Sequence, residues 1–235
     1  MRIAIVENTA ITHHGQVGVA LHEAGARIRQ YRPFADGMLP EPGSFDGLVV
    51  FGGEQSALSD DTHPYLPALG ALMARQAADG VAVLGICLGA QVFARGLGAA
   101  NHLGAAPEFG WCEVGLTGEG LADPVLGILP AAFPVFEWHS DTFTLPPGAA
   151  HLAQSPIALS QAFRHGRAGY GMQFHFEANR AVVADWTRSF PDLVERMAPG
   201  WTSGLANLEQ RDGVVADAHG LVIARAWVGQ VRSAP

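Results

Sequence analysis

The chain is 235 residues long, 49% hydrophobic and 15% charged, with a formal net charge of −8. These values are typical of one globular domain and exclude a disordered chain. The acidic balance, with no cluster of basic residues, argues against a nucleic-acid partner, and no stretch approaches the roughly 18 uninterrupted apolar residues of a membrane span.

The cysteine content and the N-terminus bear on the cellular compartment. Cys87 and Cys112 are too few for a disulfide framework, which is typical of a reducing environment. The apolar run before Glu7 is too short for the core of a signal peptide and predicts a first β-strand. The sequence therefore predicts a cytoplasmic protein with no membrane partner.

The first hundred residues alternate between strand-like and helix-like segments. In chain order these are RIAIVE (2–7), GQVGVALHEAGA (15–26), FDGLVVFGG (45–53), HPYLPALGALMARQAADG (63–80), VAVLGIC (81–87) and LGAQVFARGLG (88–98). An alternating β-α-β-α order favours a mainly parallel sheet with helices on both faces, because parallel strands need crossover connections. The predicted fold is α/β, with a doubly wound, mainly parallel sheet.

The pattern changes from about residue 111. Short, turn-punctuated segments follow, namely WCEVGLT (111–117), FPVFEWHSDTFTLP (133–146), AHLAQS (150–155) and AFRHGRAGYGMQFHFE (162–177). They predict antiparallel hairpins at the edge of the sheet. Residues 181–235 are predicted to be mostly helical, with breaks at Pro191 and Pro199-Gly200. We expect a main domain over residues 1–195 and a helical extension, residues 196–235, packed on the same domain.

The segment Gly85-Ile86-Cys87-Leu88-Gly89 has a G-x-C-x-G pattern at a predicted strand-to-helix junction. This is the cysteine form of a nucleophile elbow, whose small flanking residues allow a strained turn that exposes the central side chain. The helix N-terminus stabilises a thiolate there, and the free amide of Leu88 points to where an oxyanion forms. The alternative is a buried cysteine that packs as a small hydrophobe.

A candidate base for this thiol lies far downstream, in GYGMQFHFEANR. His175 and Glu177 are separated by one residue in a predicted strand, so their side chains leave the same face. The glutamate is long enough to orient the imidazole and fix its tautomer, which lets His175 take or give a proton. A lone strand histidine is more often a packed or surface residue, and only the combination with Cys87 favours catalysis.

Three motifs, FGGEQSA, GICLGAQ and GMQFHFE, extend this pattern along roughly residues 1–195. Together they resemble the class I (triad) glutamine amidotransferases, and more narrowly the stand-alone group similar to the amidotransferase domain of GMP synthase. The resemblance implies a flavodoxin-like fold in which Cys87 attacks the glutamine side-chain amide, His175 handles the proton and Glu177 orients His175. Many family members have proline between the last two residues, whereas this chain has Phe176, which keeps the spacing.

The same resemblance implies further site residues. The backbone amide of Gly53 joins that of Leu88 in an oxyanion hole, and Gln91 helps to hold the substrate. Asp141, in the segment EWHSDTF, is a loop carboxylate suited to bind a substrate ammonium group. Gly53, Gln91 and Asp141 each have an alternative structural interpretation. Gly53 is then part of a tight turn, Gln91 is a helix-forming residue and Asp141 is a solvated turn residue.

The remaining candidates are interpreted as structural. Trp111, Trp138 and His139 match segments near the family's substrate pocket, but we expect them to be core or edge residues. His13-His14 lacks companion ligands at metal-like spacing, so the sequence predicts no metal site. No cofactor is expected.

Three functions stay open at this point. The favoured one is a glutaminase that hydrolyses the glutamine side-chain amide through a cysteine thioester and supplies ammonia to a partner synthase. The second is a free-standing hydrolase of γ-glutamyl amides or peptides with the same triad, and the third is a non-catalytic binding or regulatory protein. The intact triad counts against the third. Because the chain has no G-x-x-x-x-G-K-[ST] loop for ATP, we expect the acceptor chemistry on another protein.

Overall fold

A nine-stranded sheet forms the centre of the molecule. The structure is a computed structural model and describes residues 1–232. The strands in chain order are β1 (Arg2–Val6), β2 (Arg27–Tyr31), β3 (Gly47–Val50), β4 (Ala82–Ile86), β5 (Asn101–His102), β6 (Glu108–Leu116), β7 (Ala132–His139), β8 (Thr142–Phe143), β9 (Ala150–Gln154), β10 (Ala162–His165) and β11 (Gly169–Met172). Strands β5 and β8 form a separate two-stranded ribbon.

The large sheet has the strand order β2-β1-β3-β4-β11-β10-β9-β6-β7. The first five strands are parallel to their neighbours, and the remaining pairs are antiparallel. The parallel part has the flavodoxin-like order, in which ligands bind beyond the carboxyl ends of the strands. The predicted fold class is confirmed, including the antiparallel strands at one edge.

Helices cover both faces of the parallel strands. The α-helices of residues 1–232 are α1 (Gly15–Glu23), α2 (Pro33–Asp36), α3 (Leu66–Ala78), α4 (Leu88–Gly96), α5 (Gly118–Leu121), α6 (Arg180–Ser189), α7 (Pro191–Met197), α8 (Trp201–Leu208) and α9 (Val214–Val228). Leu21 of α1 and Trp227 of α9 are buried on one face, and Leu69 of α3 and Phe93 of α4 are buried on the other. Burying each such side chain stabilises the fold by about 1.5–3 kcal/mol.

The C-terminal helices pack directly on this framework. Helix α9 contacts α1 and β7. The predicted breaks are present, since Pro191 occupies the first turn of α7 and Gly200 precedes α8 in a left-handed conformation. Trp201 of α8 packs its ring 5.5 Å from the ring of Trp111 in a third apolar cluster.

One strand of the sheet has no counterpart among the predicted elements. Strand β2, RIRQY, exposes its first four residues because it lies at the edge of the sheet. It therefore lacks the apolar run that marks the buried strands. No helix within residues 1–232 is long and apolar enough to cross a membrane.

Candidate active site

Cys87 lies in a sharp turn between β4 and α4. Its φ of 53° is the only positive value of a non-glycine residue within residues 1–232. The neighbouring glycines make the turn possible, because a Cβ at Gly85 would collide with the backbone of Gly89 and a Cβ at Gly89 would collide with the carbonyl oxygen of Val50. A strained backbone of this kind is typical of functional sites, and the G-x-C-x-G pattern adopts the geometry of an elbow.

His175 and Glu177 meet near this elbow, although not in the predicted way. Strand β11 ends at Met172, so the expectation that both residues share one strand is wrong. His175 forms an isolated antiparallel bridge to Phe136, and Glu177 lies in the following turn. The turn nevertheless brings His175 Nδ1 to 2.7 Å from Glu177 Oε1. The predicted pair is thus in contact and buried.

The turn that carries Glu177 is held between two helices. The backbone amide of Gln16, in α1, donates a hydrogen bond of 2.9 Å to the carbonyl oxygen of Glu177. On the other side, Gly220 of α9 lies so close to the carbonyl of Phe176 that a Cβ there would collide with it. Phe176 itself is buried in the core. The replacement of proline by Phe176 therefore contributes to packing.

The electrostatics of His175 favour its charged form. Burial opposes protonation, but the charges of Glu177 and Cys87, together with hydrogen bonds to both side chains, raise the pKa of His175 well above its ordinary value of 6.5. A thiolate and an imidazolium stabilise each other in such a pair. The Cys87 thiol also lies 3.8 Å from the carbonyl oxygen of Trp138. The Cys87 sulfur thus lies between the imidazole of His175 and the backbone of Trp138.

Two backbone segments border Cys87 where an oxyanion would form. Leu88 is the first residue of α4, so its amide has no acceptor within the helix. The glycine turn after β3 approaches from the other side: a Cβ at Gly52 would lie 3.2 Å from His175 Cε1 and 3.4 Å from Cys87 Cβ. Gly53 follows it and borders Leu88. The sequence analysis identified Gly53 and missed Gly52, where an added Cβ would be crowded against His175.

Gln91 and Asp141 belong to one hydrogen-bonded unit. Gln91 Nε2 donates to the backbone carbonyl of Asp141 at 3.3 Å and to Gln173 Oε1 at 3.1 Å. The Asp141 carboxylate accepts a hydrogen bond of 2.8 Å from the amide of Gly104. Both side chains thus have structural partners as well as a place in the cavity described below.

Behind this unit lies a buried cluster of Glu108, Glu137 and His139. His139 Nε2 is 3.3 Å from a carboxylate oxygen of Glu108 and 3.2 Å from one of Glu137, while Nδ1 donates to the carbonyl of Asp141 at 3.0 Å. Although burial alone lowers it, the pKa of His139 is raised to about 10 by the two carboxylates. The imidazolium therefore anchors the loop that carries Asp141.

All seven predicted site residues line one cavity of about 470 Å³. They are Gly53, Cys87, Leu88, Gln91, Asp141, His175 and Glu177. Trp138 and His139 also line it; both lie on β7, the edge strand of the sheet, as expected, and the prediction did not include their contact with the cavity. Trp111 is a core residue, as expected, and packs among aromatic rings. Elements far apart in sequence thus converge at the carboxyl ends of the parallel strands.

A further wall of this cavity was not predicted. Trp186 and Phe190 from α6 and its C-terminal end, with Leu193 and Met197 of α7, border the cavity and are half-buried. The ring of Trp186 lies edge-on to that of His175, with centroids 5.1 Å apart. The only signal in the sequence is the apolar spacing of the helices, which does not show which face meets the site.

Comparisons with known proteins agree with this architecture. The family model described as glutamine amidotransferase class-I matches residues 20–182. The glutamine amidotransferase-like protein YfeJ of Salmonella typhimurium is 31% identical over 75% of this chain and 76% of its own length. One subunit of the glutamine-hydrolysing GMP synthase of Methanosarcina acetivorans is 30% identical over 67% of this chain and 76% of its length.

Longer relatives and solved structures complete the comparison. The glutamine-hydrolysing GMP synthase of Mycobacterium tuberculosis is 29% identical over 83% of this chain, which spans only 38% of that protein. A glutamine amidotransferase from Thermotoga maritima superposes with a TM-score of 0.85 at 25% identity, covering 99% of both chains. The chain belongs to the class I glutamine amidotransferase family.

Proposed function

We propose that this protein hydrolyses the side-chain amide of glutamine through a thioester on Cys87. The observation that carries the proposal is the position of Cys87, on a strained elbow, beside the buried His175–Glu177 pair, whose atoms are 2.7 Å apart. A nucleophile, a base within reach and a group that orients the base are the three parts of a catalytic triad.

The reaction follows from these parts. The Cys87 thiolate attacks the amide carbon, and the oxyanion that forms is stabilised by the amides of Gly53 and Leu88. His175 gives its proton to the departing nitrogen, the carbon–nitrogen bond breaks, and ammonia leaves. Water then attacks the thioester while His175 takes a proton from it, which releases glutamate and restores the thiolate. Loss of one oxyanion donor costs about 10²- to 10³-fold in such sites.

The polar end of the cavity suits the glutamyl part of the substrate. In this proposal Asp141 binds the substrate ammonium and Gln91 contacts the glutamyl chain; the support is that both line the cavity and that Gln91 Nε2 donates to the Asp141 carbonyl. The test is the release of ammonia and glutamate from glutamine by the purified protein, compared with the Cys87→Ala variant. Turnover that survives in the variant would contradict the proposal.

We further propose that the ammonia serves a partner synthase. The support is the similarity to the GMP synthase chain of Methanosarcina acetivorans, which is named as a subunit. Free ammonia is mostly protonated at neutral pH and is then a poor nucleophile. Ammonia is therefore used efficiently only if glutamine is hydrolysed when the partner synthase is bound and its acceptor site is ready. A cytoplasmic location stays a prediction from the cysteine content.

This partner proposal makes the isolated chain a poor glutaminase. A partner that moves the Gly53 turn or the Asp141 loop by about 1 Å would change the rate some 10²-fold. The measurement is glutamine turnover with and without extract of the source cells. A kcat already in the range of about 1–10³ s⁻¹ for the chain alone, unchanged by the extract, would contradict it.

A second candidate uses the same triad without a partner. It is a free-standing hydrolase of larger γ-glutamyl amides. The observation that favours it is the apolar surface of the cavity formed by Trp186, Phe190, Leu193 and Met197, because the amide nitrogen of glutamine carries no substituent that could contact it.

A further inference from the structure

The cavity has a polar end and an apolar end. Gln55, Gln91 and Asp141 border it near the oxyanion turn. Gln55 is fixed there by hydrogen bonds from its Nε2 to the Asn8 carbonyl at 3.1 Å and to the Tyr65 hydroxyl at 2.9 Å. This end offers acceptors and dipoles to a charged group, so it suits the amino-acid part of a γ-glutamyl compound.

The apolar end adjoins His175. Trp186 lies against the His175 ring, and the ring of Trp138 is 5.7 Å from Trp186 and 5.8 Å from Phe190. Leu193 and Met197 continue this surface along α7. We call these five residues, Trp138, Trp186, Phe190, Leu193 and Met197, the apolar wall. All five are half-buried, so a bound apolar group would remove further surface from water.

The chemistry of the triad decides which part of a substrate meets the apolar wall. His175 must protonate the nitrogen that leaves Cys87, so the leaving nitrogen points to the His175 side of the cavity. Any substituent on that nitrogen then lies against Trp186 and the residues beyond it. The glutamyl part lies on the opposite, polar side.

The volume of the cavity and the sequence positions of the apolar-wall residues also bear on the substrate. A volume of about 470 Å³ lies within the range of about 300–1,000 Å³ for pockets that hold drug-sized ligands, which are much larger than glutamine. Four of the five residues of the apolar wall lie beyond residue 182, where the match to the family model ends. The apolar wall is therefore built mainly by the C-terminal helices, outside the segment that the family model matches.

We propose that the site accepts γ-glutamyl amides of primary amines that carry an apolar group, and prefers them to glutamine. The inference rests on the proposed hydrolysis through Cys87 and develops the second candidate, the free-standing hydrolase of γ-glutamyl amides, by adding the identity of the leaving group. Burial of each CH₂ group against the apolar wall favours binding roughly fourfold, so a short alkyl chain is enough to change the preference.

The reaction balances with water as the only co-reactant. The Cys87 sulfur forms a bond to the γ-carbon as the bond from that carbon to the amine nitrogen breaks, and the nitrogen takes its proton from His175. Water then adds to the thioester, the carbon–sulfur bond breaks, and His175 recovers a proton from the water. The products are glutamate and the free alkylamine, which leaves past the apolar wall.

The first test compares two synthetic substrates on the unaltered protein. They are the γ-glutamyl amide of n-butylamine and that of 3-aminopropan-1-ol, which have the same chain length and leaving amines of similar basicity. We expect kcat/KM for the butyl compound to exceed that for the hydroxyl compound by about tenfold or more, and to exceed that for glutamine. Equal values, or a preference for the hydroxyl compound, would overturn the proposal.

The second test locates this preference on α7. Leu193→Asn places an amide on the apolar wall, and we expect the butyl-to-hydroxyl ratio of kcat/KM to fall about tenfold. Leu159→Asn is the matched control, because Leu159 is 73% exposed and does not line the cavity, and its ratio should stay that of the unaltered protein. If Leu193→Asn does not fold, Met197→Gln replaces it. An unchanged ratio in a folded α7 variant would contradict the assignment.

The outcomes separate this inference from the proposed function. If glutamine is cleaved in a Cys87-dependent way but the butyl compound is not preferred, the leaving-group assignment fails and amide hydrolysis stands. If no amide is cleaved and Cys87 does not react with a glutamine-like electrophile, the proposed function fails, and the inference fails with it.

Discussion

Cys87 adopts a backbone conformation that costs a residue with a Cβ about 1–3 kcal/mol. Four surrounding features hold it there: the glycines on either side, the hydrogen bond of 2.8 Å from the Cys87 amide to the Met172 carbonyl, and the one of 3.1 Å from the Gln91 amide to the Cys87 carbonyl. The strain has a clear effect, since it turns the thiol toward His175 at the start of α4.

The roles of His175 and Glu177 are separable by substitution. We expect His175→Ala to lose about 10⁴-fold or more in kcat, because both proton transfers disappear. Glu177→Gln should keep a measurable remnant with a similar KM, because the imidazole remains and only its orientation and charge partner are lost. Steady-state kinetics on glutamine or a γ-glutamyl amide gives kcat and KM for both variants. Equal, small losses of kcat in the two variants would indicate that the pair is purely structural.

The Glu177→Gln variant also has a pH signature. The negative charge of Glu177 raises the pKa of His175, so its removal lowers that pKa. The rate falls at alkaline pH once the imidazolium that protonates the leaving group is lost. The alkaline limb of the pH–rate profile should therefore move to lower pH in the variant, and an unmoved limb would indicate that another group controls it.

His139 links the stability of the fold to pH. Its pKa in the folded state is raised from 6.5 to about 10 through its contacts with Glu108 and Glu137. A raised pKa contributes stability that is fully present below about pH 6.5 and is lost as the pH rises through about 10. Urea unfolding at pH 6 and at pH 10.5 measures the free energy of unfolding of the wild type and of His139→Gln. We expect the difference in this free energy between the two proteins to be smaller at pH 10.5. A constant difference would exclude a charged His139.

At the scale of elements, the elbow depends on a close approach of β3 and α4. We expect Gly89→Ala to destabilise the protein by about 1–3 kcal/mol, because the new Cβ meets the carbonyl oxygen of Val50, which belongs to the rigid sheet. Gly118→Ala is the matched control, since a Cβ there meets nothing within 4 Å, and its effect should stay within about 0.5 kcal/mol. Equal stability of the two variants in urea would contradict this packing.

The sequence allowed some elements of this site to be predicted better than others. The elbow followed from a local pattern, because the glycine spacing and the strand-to-helix junction lie in five consecutive residues. The contact between His175 and Glu177 was expected for a wrong reason: a turn brings them together, supported by Gln16 and by the bridge to Phe136. That support comes from elements distant in sequence, which a local pattern cannot show.

The apolar wall and strand β2 show the same limit. Trp186 and Leu193 were placed in helices, but which face of a helix borders a cavity depends on how it docks. Strand β2 was missed because four of its five residues are exposed, and hydrophobic periodicity reports only buried faces. Sequence patterns were thus sufficient to predict the buried parallel strands. They were insufficient to predict the edge strand β2 and the helix faces that line the cavity.

At the scale of the whole molecule, the C-terminal helix α9 packs against the segment that carries His175 and Glu177. Trp227 of α9 is fully buried in the core that α9 shares with α1, and Gly220 contacts the turn of Glu177. The proposed division at residue 195 stays a prediction. Within residues 1–232, Gly220, on the C-terminal side of this division, contacts the turn that carries Glu177, on its N-terminal side.

This contact makes Gly220 a test of coupling between α9 and the site. Gly220→Val should lower both the free energy of unfolding, by about 1–3 kcal/mol, and kcat, because its side chain displaces the carbonyl of Phe176 and with it Glu177. Gly204→Ala in α8 is the control and should stabilise the helix by up to about 1 kcal/mol with kcat unchanged. A normal kcat in a folded Gly220→Val protein would show that the packing of α9 does not affect the position of Glu177.

The measurement that tests the central claim most directly is the site of labelling by a glutamine-like electrophile. The only two cysteines fall in separate tryptic peptides, residues 76–95 for Cys87 and 96–164 for Cys112, so mass spectrometry distinguishes them. Burial and the charges of Glu137 and Glu108 raise the pKa of Cys112 to about 12, which keeps it protonated and unreactive. We predict a covalent adduct on peptide 76–95 alone, with turnover abolished in Cys87→Ala. An adduct on peptide 96–164, or full turnover in Cys87→Ala, would contradict the assignment of Cys87 as the nucleophile.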